Sequence, residues 1–227
     1  MVYSMGGYIV SEDKTTSGYD DENTLRAMEY VGKLLKDCCP SATTISETGT
    51  ETLIESGTVA MVTQGSWMLG GFKQNEYMLE NCDVAILPYD AKTGVRASMC
   101  NGLGWAASAY TDRPDDCWAL IEWFGSKEMQ LKQAELGITM SAYEGTSDDW
   151  INSAPFDLQP YLDMAGESRD EGVTNKLVLR PYTYNSTKWC NQAIKDLVPA
   201  WNDPSQMESV CIKFAATMND IIAQENK

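Results

Sequence analysis

The most informative feature of this 227-residue sequence is an absence, because it contains no histidine. Without histidine, neither a Ser-His-Asp triad nor a Cys-His pair can form, and no metal site can use imidazole ligands. Basic residues are also scarce: 17 lysines and arginines stand against 33 aspartates and glutamates, for a formal net charge of −16. Such an acidic surface repels phosphate backbones, so the composition argues against nucleic-acid binding.

Several sequence signatures are missing as well. No apolar run approaches the roughly 20 residues of a membrane-spanning helix. Residues 1–10 have neither the basic start nor the long apolar core of a signal peptide. The seven cysteines include no C-x-x-C pair, and their scattered spacing implies no disulfide framework. No glycine-rich loop matches a nucleotide fingerprint, and the acidic loop 11–23 lacks calcium-loop order, so we expect no cofactor and no metal.

What the sequence does contain is a set of helical patterns that alternate with short apolar runs. Because strands separated by helices are typical of α/β proteins, we expect an α/β fold. The segment 40–50, rich in serine and threonine, is predicted to be a loop. Helices are predicted over 24–37, 51–56, 67–74, 113–126, 126–137, 156–168, 186–201 and 205–227, and strands over 58–63, 82–89, 95–109 (a pair broken by glycines) and 176–182.

The segment VAMVTQGSWMLGGF, residues 59–72, places a tryptophan where a strand gives way to a helix. Gly65 permits the close approach of a ligand, and Ser66 can cap the helix or bond a hydroxyl group. The indole of Trp67 would offer a flat apolar face, on which the C–H patches of a sugar ring can stack. The same pattern is equally compatible with a Trp67 that packs the helix onto a sheet.

Two further segments combine polar and aromatic groups. In CNGLGWAAS, residues 100–108, the glycines mark backbone that needs unusual dihedral angles or close contact. Its backbone groups at 101–103 could bond ligand hydroxyls, although spacing alone favours a tight hairpin or a crossover. RPYTYNSTKW, residues 180–189, mixes a cation, aromatics and amides in a way that suits a polyhydroxylated ligand. The alternative is a surface loop followed by one core tryptophan.

Taken in order along the chain, these segments resemble the extracellular solute-binding proteins of family 1, the carbohydrate-type receptors of ABC importers. The resemblance rests on GGYIVSEDKTTSGYDDENTLRAMEYV, LIESGTVAMVTQGSWM, DVAILPY, NGLGWAASA, DDCWALIEWFGSKEMQLKQAELGI and SAYEGTSDDW. It implies a periplasmic-binding-protein-like fold of type II, which closes around its ligand by hinge bending. The fold would be helix-rich with a short-stranded sheet, and the protein would not be an enzyme.

The resemblance also implies which residues face the ligand. An aromatic after the strand 58–63 commonly stacks on a sugar, and the segment matching NGLGW lies near the ligand where the lobes cross. With the polar groups of the three segments above, the predicted ligand-binding set is Gly65, Ser66, Trp67, Asn101, Gly102, Leu103, Tyr143, Arg180, Tyr184 and Trp189.

Members of the family are longer, which implies that this chain is mainly the second lobe. Residues 1–103 and 141–227 would build that lobe, and 104–140 would be a crossover that packs on a first lobe mostly outside the chain. Without the first lobe, the crossover must fold over the remaining lobe, pair with another chain or expose its apolar side chains. The apolar residues that would be exposed are Trp118, Leu120, Ile121 and Phe124.

The family pattern further implies an extracellular lipoprotein, whose signal segment lies outside this chain, that delivers a carbohydrate to the permease subunits in the membrane. Two other interpretations stay open at this point. A carboxylate-based glycoside hydrolase would also combine acids with aromatic platforms, and Glu144 is the one acid inside an aromatic segment. A solute-binding protein for a non-sugar ligand would carry charged groups near the aromatics.

Overall fold

The computed structural model describes residues 1–136 and 140–224. The described residues form mainly helices, with one pair of strands, and divide into two compact units. The elements in chain order are α1 Glu22–Asp37, α2 Ala42–Thr48, α3 Thr50–Glu55, a 3-10 turn Ser66–Met68, α4 Leu69–Phe72, α5 Glu76–Asn81, β1 Val95–Cys100, α6 Pro114–Gly125, α7 Lys127–Glu135, α8 Ser147–Ile151, α9 Gln159–Ala165, β2 Thr174–Leu179, α10 Ser186–Asp196, α11 Val198–Asn202, a 3-10 turn Pro204–Gln206 and α12 Met207–Ala223.

The first unit comprises residues 1–49, 87–101 and 164–224, and its core forms around α12. The apolar face predicted for the last helix is confirmed: its members, all buried, are Met207, Cys211, Phe214, Met218, Ile221 and Ile222. Tyr19 meets Phe214 edge-on, with ring centroids 4.9 Å apart. Burial in this core raises the pKa of Tyr19 to about 12 and that of the Cys211 thiol to about 11.

Helix α1 shows why the sequence prediction succeeds where local signals are strong. The sequence offers Asp20 or Asp21 as the N-cap, and in the structure the Asp21 side chain accepts hydrogen bonds from the backbone N–H groups of Asn23 and Thr24. Ala27 and Met28 are buried on its inner face, as expected for an amphipathic helix. The sequence also predicts that Gly57 ends the helix over 51–56, and Gly57 adopts φ +70°, with a Cβ there lying 2.7 Å from the Tyr77 ring.

Strands β1 and β2 form a parallel pair within the first unit, with Val95 opposite Thr174 and Cys100 opposite Leu179. The nearly fully buried Arg96 on β1 holds this pair in place. Its guanidinium donates to the carbonyl of Leu87 (2.5 Å), to Asn175 Oδ1 (3.2 Å) and to Asp170 Oδ2 (2.6 Å). A buried guanidinium needs such partners, because an uncompensated charge in the interior is strongly destabilising.

The second unit comprises residues 50–86 and 102–163 apart from 137–139, and has a separate core. Trp150 is fully buried there and meets Tyr161 edge-on at 5.7 Å. The other buried members of this cluster are Ile54, Leu69, Phe72, Met78, Ala134, Phe156 and Leu158. The lobes predicted from the sequence are those of a longer protein. The two units of this chain do not test that assignment, which stays a prediction.

Four predictions of secondary structure are wrong. Residues 58–63 and 82–89 form no ladder, and the second half of 95–109 is irregular. Val59, Val62 and Val84 still pack on the core of the second unit. Their apolar pattern therefore indicated burial and did not indicate pairing with another strand. The predicted loop 40–50 contains helix α2. Ser41 caps the N-terminus of this helix, because its hydroxyl oxygen accepts a hydrogen bond from the Thr44 N–H at 3.0 Å.

The predicted boundaries of later helices also change. The sequence also predicts a capping box of Ser205 and Glu208, which does not form: Asp203 instead accepts from the Ser205 N–H, and a 3-10 turn precedes α12. Residues 138–150 are predicted to be irregular, but they include the start of α8, and residues 138 and 139 lie outside the described residues. The predicted end of one helix at Gly137, and the last three residues of the predicted final helix, lie outside the described residues.

Helix α6 carries the largest departure from ordinary burial, because none of its residues is buried. Trp118 is 63% exposed and Leu120 53% exposed, while Ile121 and Phe124 are half-buried. The isolated chain exposes apolar side chains in this segment, and its pairing with another chain stays a prediction. Trp105, from the irregular segment before α6, stacks on Phe124 with centroids 4.1 Å apart and planes 13° apart. We call Trp105, Trp118, Leu120, Trp123 and Phe124 the α6 apolar surface. Within the described residues, no helix combines the length and apolarity of a membrane span.

Candidate ligand-binding surface

Trp67 lies on the surface of the second unit, in the 3-10 turn Ser66–Met68 that follows the extended segment 58–65. Its side chain is 56% exposed. The indole folds back onto the Cα of Gly65: a Cβ built there would overlap ring atoms Cζ3, Cη2 and Cε3. Gly65 has φ −91°, which any residue can adopt, so space for the ring explains the glycine and backbone strain does not. The turn thus displays one part of the indole and supports another.

The backbone on which Trp67 rests is itself anchored by Gln64. The Gln64 amide donates to Glu51 Oε1 at 2.8 Å and to Thr50 Oγ1 at 3.4 Å, at the start of α3. Its carbonyl oxygen accepts from the Gly65 N–H at 3.2 Å. The expected cap by Ser66 is wrong, because Gly65 occupies the N-cap position and no side chain caps the turn. Gln64 was not selected from the sequence, since nothing in a polar residue beside a glycine indicates a partner 13 residues away.

Residues 101–108 form no regular structure and stand open to solvent. Leu103 is 89% exposed. Within the part of the chain that the structure describes, Asn101, Gly102 and Leu103 make no hydrogen bond, so their backbone groups are available to a ligand. Asn101 belongs to the first unit, whereas Gly102 and Leu103 belong to the second.

The loop after β2 presents aromatic side chains on the first unit. Arg180 is exposed, and Tyr184 is 97% exposed. Tyr182, which was not selected from the sequence, is held by Lys14: the ammonium group hydrogen-bonds its hydroxyl and lies 3.7 Å from its ring centroid. That hydrogen bond lowers the pKa of Tyr182. Lys14 is the one non-glycine residue with positive φ among those described, at 61°.

Trp189 has a different environment from the other predicted site residues. It is only 4% exposed, within the core of the first unit, and its indole N–H donates to Thr183 Oγ1 at 3.0 Å. A buried indole whose only polar group is already bonded serves packing, so the structure supports the core alternative for Trp189. Tyr143, in the second unit, is exposed beside a turn closed by Thr146 Oγ1, which donates to the Tyr143 carbonyl at 2.6 Å.

The electrostatics of these surfaces give little support to metal binding. Within residues 1–136 and 140–224, no group of three or more cysteines, aspartates or glutamates is placed to hold an ion. The Asp13 carboxylate in the acidic loop instead accepts from Ser11 Oγ (2.6 Å) and from Thr15 Oγ1 (2.8 Å), which lowers its pKa.

The sequence matches the family of bacterial extracellular solute-binding proteins over residues 3–155. The chain therefore belongs to this family, as the resemblance of its ordered segments implied. No curated protein sequence matches it.

Two solved structures have the same fold. The first is an ABC substrate-binding protein from Listeria monocytogenes in complex with cycloalternan. Its TM-score is 0.80 at 16% sequence identity, and the match covers 98% of this chain and 55% of the Listeria chain. The second is an ABC transporter solute-binding protein from Thermotoga lettingae bound with alpha-D-tagatose. Its TM-score is 0.71 at 18% sequence identity, and the match covers 97% of this chain and 54% of the Thermotoga chain. The expected periplasmic-binding-protein-like fold is thus confirmed. The chain spans about half the length of these two proteins.

The support of Trp67 by Gly65 can be tested by replacing Gly65 with alanine. The new Cβ would overlap the indole, so we expect the ring to leave its position while the unfolding free energy changes by less than about 1 kcal/mol, since no core contact is lost. The measurement is ¹⁹F NMR of protein labelled with fluorotryptophan, in which the Trp67 resonance, assigned with Trp67→Phe, should shift.

Gly70→Ala is the matched control, because a Cβ there meets no atom within 4 Å and lies in the adjoining helix α4. It should leave the Trp67 resonance in place and stabilise the helix by up to about 1 kcal/mol. An unchanged Trp67 resonance in Gly65→Ala would show that the ring does not rest on Gly65.

Proposed function

We propose that this chain is part of the extracellular solute-binding component of an ABC importer that captures a sugar or oligosaccharide and delivers it to the membrane permease. The observation that carries the proposal is the displayed indole of Trp67, 56% exposed and supported on Gly65. Membership of the solute-binding family supports the class of function. The two structural relatives, which hold cycloalternan and alpha-D-tagatose, support a sugar as the class of ligand.

The chemistry around Trp67 fits a neutral polyhydroxylated ligand. An indole offers a broad apolar face for the C–H groups of a sugar ring, and such stacking is worth roughly 0.5–1.5 kcal/mol beyond the area it buries. Ser66 supplies a hydroxyl next to this face, and Tyr143 supplies a phenol in the same unit. No charge is needed for this arrangement, which favours a sugar over a polyamine or a phosphorylated compound.

The first unit contributes a second group of candidates to the proposal. Asn101 has unbonded backbone groups, and Arg180 and Tyr184 stand exposed beside Tyr182, which Lys14 fixes. We propose that in the whole protein the ligand is held between two lobes, and that each of these groups is a candidate contact. The whole protein would be a lipoprotein outside the cell.

The α6 apolar surface supports a partner for this part of the chain. Three tryptophans and a leucine in this set are at about half exposure or more, and water-soluble proteins rarely leave so many large apolar side chains open. We propose that in the whole protein the first lobe covers this surface. When the chain is alone, two copies would cover the α6 apolar surface by associating with each other. The net charge of −16 opposes this association at low ionic strength.

The role of Trp67 in binding can be tested by titrating the chain with cycloalternan and with D-tagatose. Because part of the proposed cleft lies outside the chain, we expect weak binding, and submicromolar affinity would contradict this expectation. Trp67→Ala should weaken binding of the responding sugar about tenfold, equal to about 1.4 kcal/mol. Shifts of NMR resonances, which report millimolar binding, are the measurement.

Trp118→Ala provides the matched control for this titration, since Trp118 has similar exposure but lies on α6. It should leave the affinity unchanged. Equal losses in the two variants would indicate non-specific stacking, and unchanged affinity in Trp67→Ala would overturn the assignment of Trp67. Release of reducing ends during incubation would favour the hydrolase interpretation instead.

Self-association through the α6 apolar surface can be tested with the double variant Trp118→Gln and Leu120→Gln. The unmodified chain should show a weight-average mass above that of a monomer at high micromolar concentration, and more so in 0.5 M salt, where repulsion is screened to roughly 3–5 Å. The double variant should remain monomeric. Sedimentation velocity measures both.

Ile194→Gln serves as the control, because Ile194 is 70% exposed but lies on α10 in the first unit. It should associate as the unmodified chain does. A monomeric unmodified chain at both salt concentrations would contradict self-association through this surface.

A further inference from the structure

The seven cysteines occupy three kinds of environment, and all are free thiols. Cys211 is buried in the first core, where burial raises its pKa to about 11 and removes its reactivity. Three others are partly buried, namely Cys82, Cys117 and Cys190. The exposed thiols are Cys38, Cys39 and Cys100, and the first two are adjacent in the chain.

The adjacent pair lies at the C-terminal end of α1. The N–H groups of Cys38 and Cys39 both donate to the carbonyl oxygen of Leu34, at 2.9 and 3.1 Å. Pro40 follows and cannot continue the helix, because it has no N–H to donate. The backbone of the pair is therefore fixed by the helix end, while both side chains are exposed.

This geometry disfavours a direct disulfide between the two sulfurs. Consecutive Cα atoms lie about 3.8 Å apart across a trans peptide, below the usual 4.4–6.8 Å of disulfide-linked residues. A disulfide here would be strained and easily reduced. A third atom bonded to both sulfurs removes this constraint, because the two sulfurs then need only lie near each other.

From this we infer that Cys38 and Cys39 form a two-thiol site for trivalent arsenicals. Soft thiolate ligands select soft, thiophilic centres. With an arsenical oxide R–As=O, both S–H bonds break, two S–As bonds form, and the oxygen leaves with the two protons as water. Arsenic stays trivalent throughout, so the step requires neither an oxidant nor a reductant. The inference does not depend on the proposed sugar-binding function.

The experiment adds one equivalent of phenylarsine oxide to the reduced chain and reads the product by intact-mass spectrometry. We expect one adduct per chain, with the gain of C6H5As and the loss of two hydrogens. The adduct should survive a monothiol and be removed by a dithiol. Cys38→Ser and Cys39→Ser should each weaken binding by about 100-fold or more, because one sulfur loses the chelate advantage.

Cys100→Ser is the matched control, since it removes an exposed thiol outside the pair and should retain the adduct. Alkylation of the unmodified chain followed by peptide mapping should show that the arsenical protects Cys38 and Cys39 together, a result that needs no variant to fold. Undiminished binding in Cys38→Ser or Cys39→Ser, protection elsewhere, or no adduct on a chain whose exposed thiols alkylate normally would each overturn the inference.

Discussion

The display of Trp67 on the surface of the second unit depends on the contact between its indole and the backbone of Gly65. Only a residue without a Cβ can lie beneath the ring, and the ring in turn has a surface on which to rest while more than half of it faces solvent. An unsupported surface indole would sample several rotamers, and ordering it on a ligand would cost conformational entropy. Gly65 supports the ring, and the Gln64 side chain ties the Gly65 backbone to the start of α3. Both contacts reduce that entropy cost before a ligand binds.

The sequence predicted the parts of the fold for which local signals are sufficient. Helix α1 carries its own cap at Asp21, and α12 carries an apolar face that closes the first core, so both were predicted with nearly correct bounds. Residues 58–63 and 82–89 were misassigned, because alternating burial is shared by a paired strand and by an extended segment that packs on a core. Whether a ladder forms depends on a neighbour elsewhere in the chain, which periodicity does not specify.

The candidate site shows the same limit at the level of single residues. Trp67 and Trp189 both follow a loop and begin a helix, and the resemblance assigned a ligand to each. The structure displays Trp67, whereas Trp189 donates to Thr183 inside the core. Lys14 and Tyr182 are distant in sequence, and only the fold brings the ammonium group over the ring. The exposure of the α6 apolar surface agrees with the expectation that this segment packs on a first lobe in the whole protein, and that expectation stays a prediction.

The most direct test of the central claim is oxidative footprinting of the tryptophans with and without saturating cycloalternan or D-tagatose, read residue by residue by mass spectrometry. Trp67, Trp105 and Trp118 have similar exposure, so they should oxidise at comparable rates in the free chain. The account predicts that bound sugar protects Trp67 and leaves Trp118 unchanged. Protection of Trp118 with none at Trp67 would contradict it.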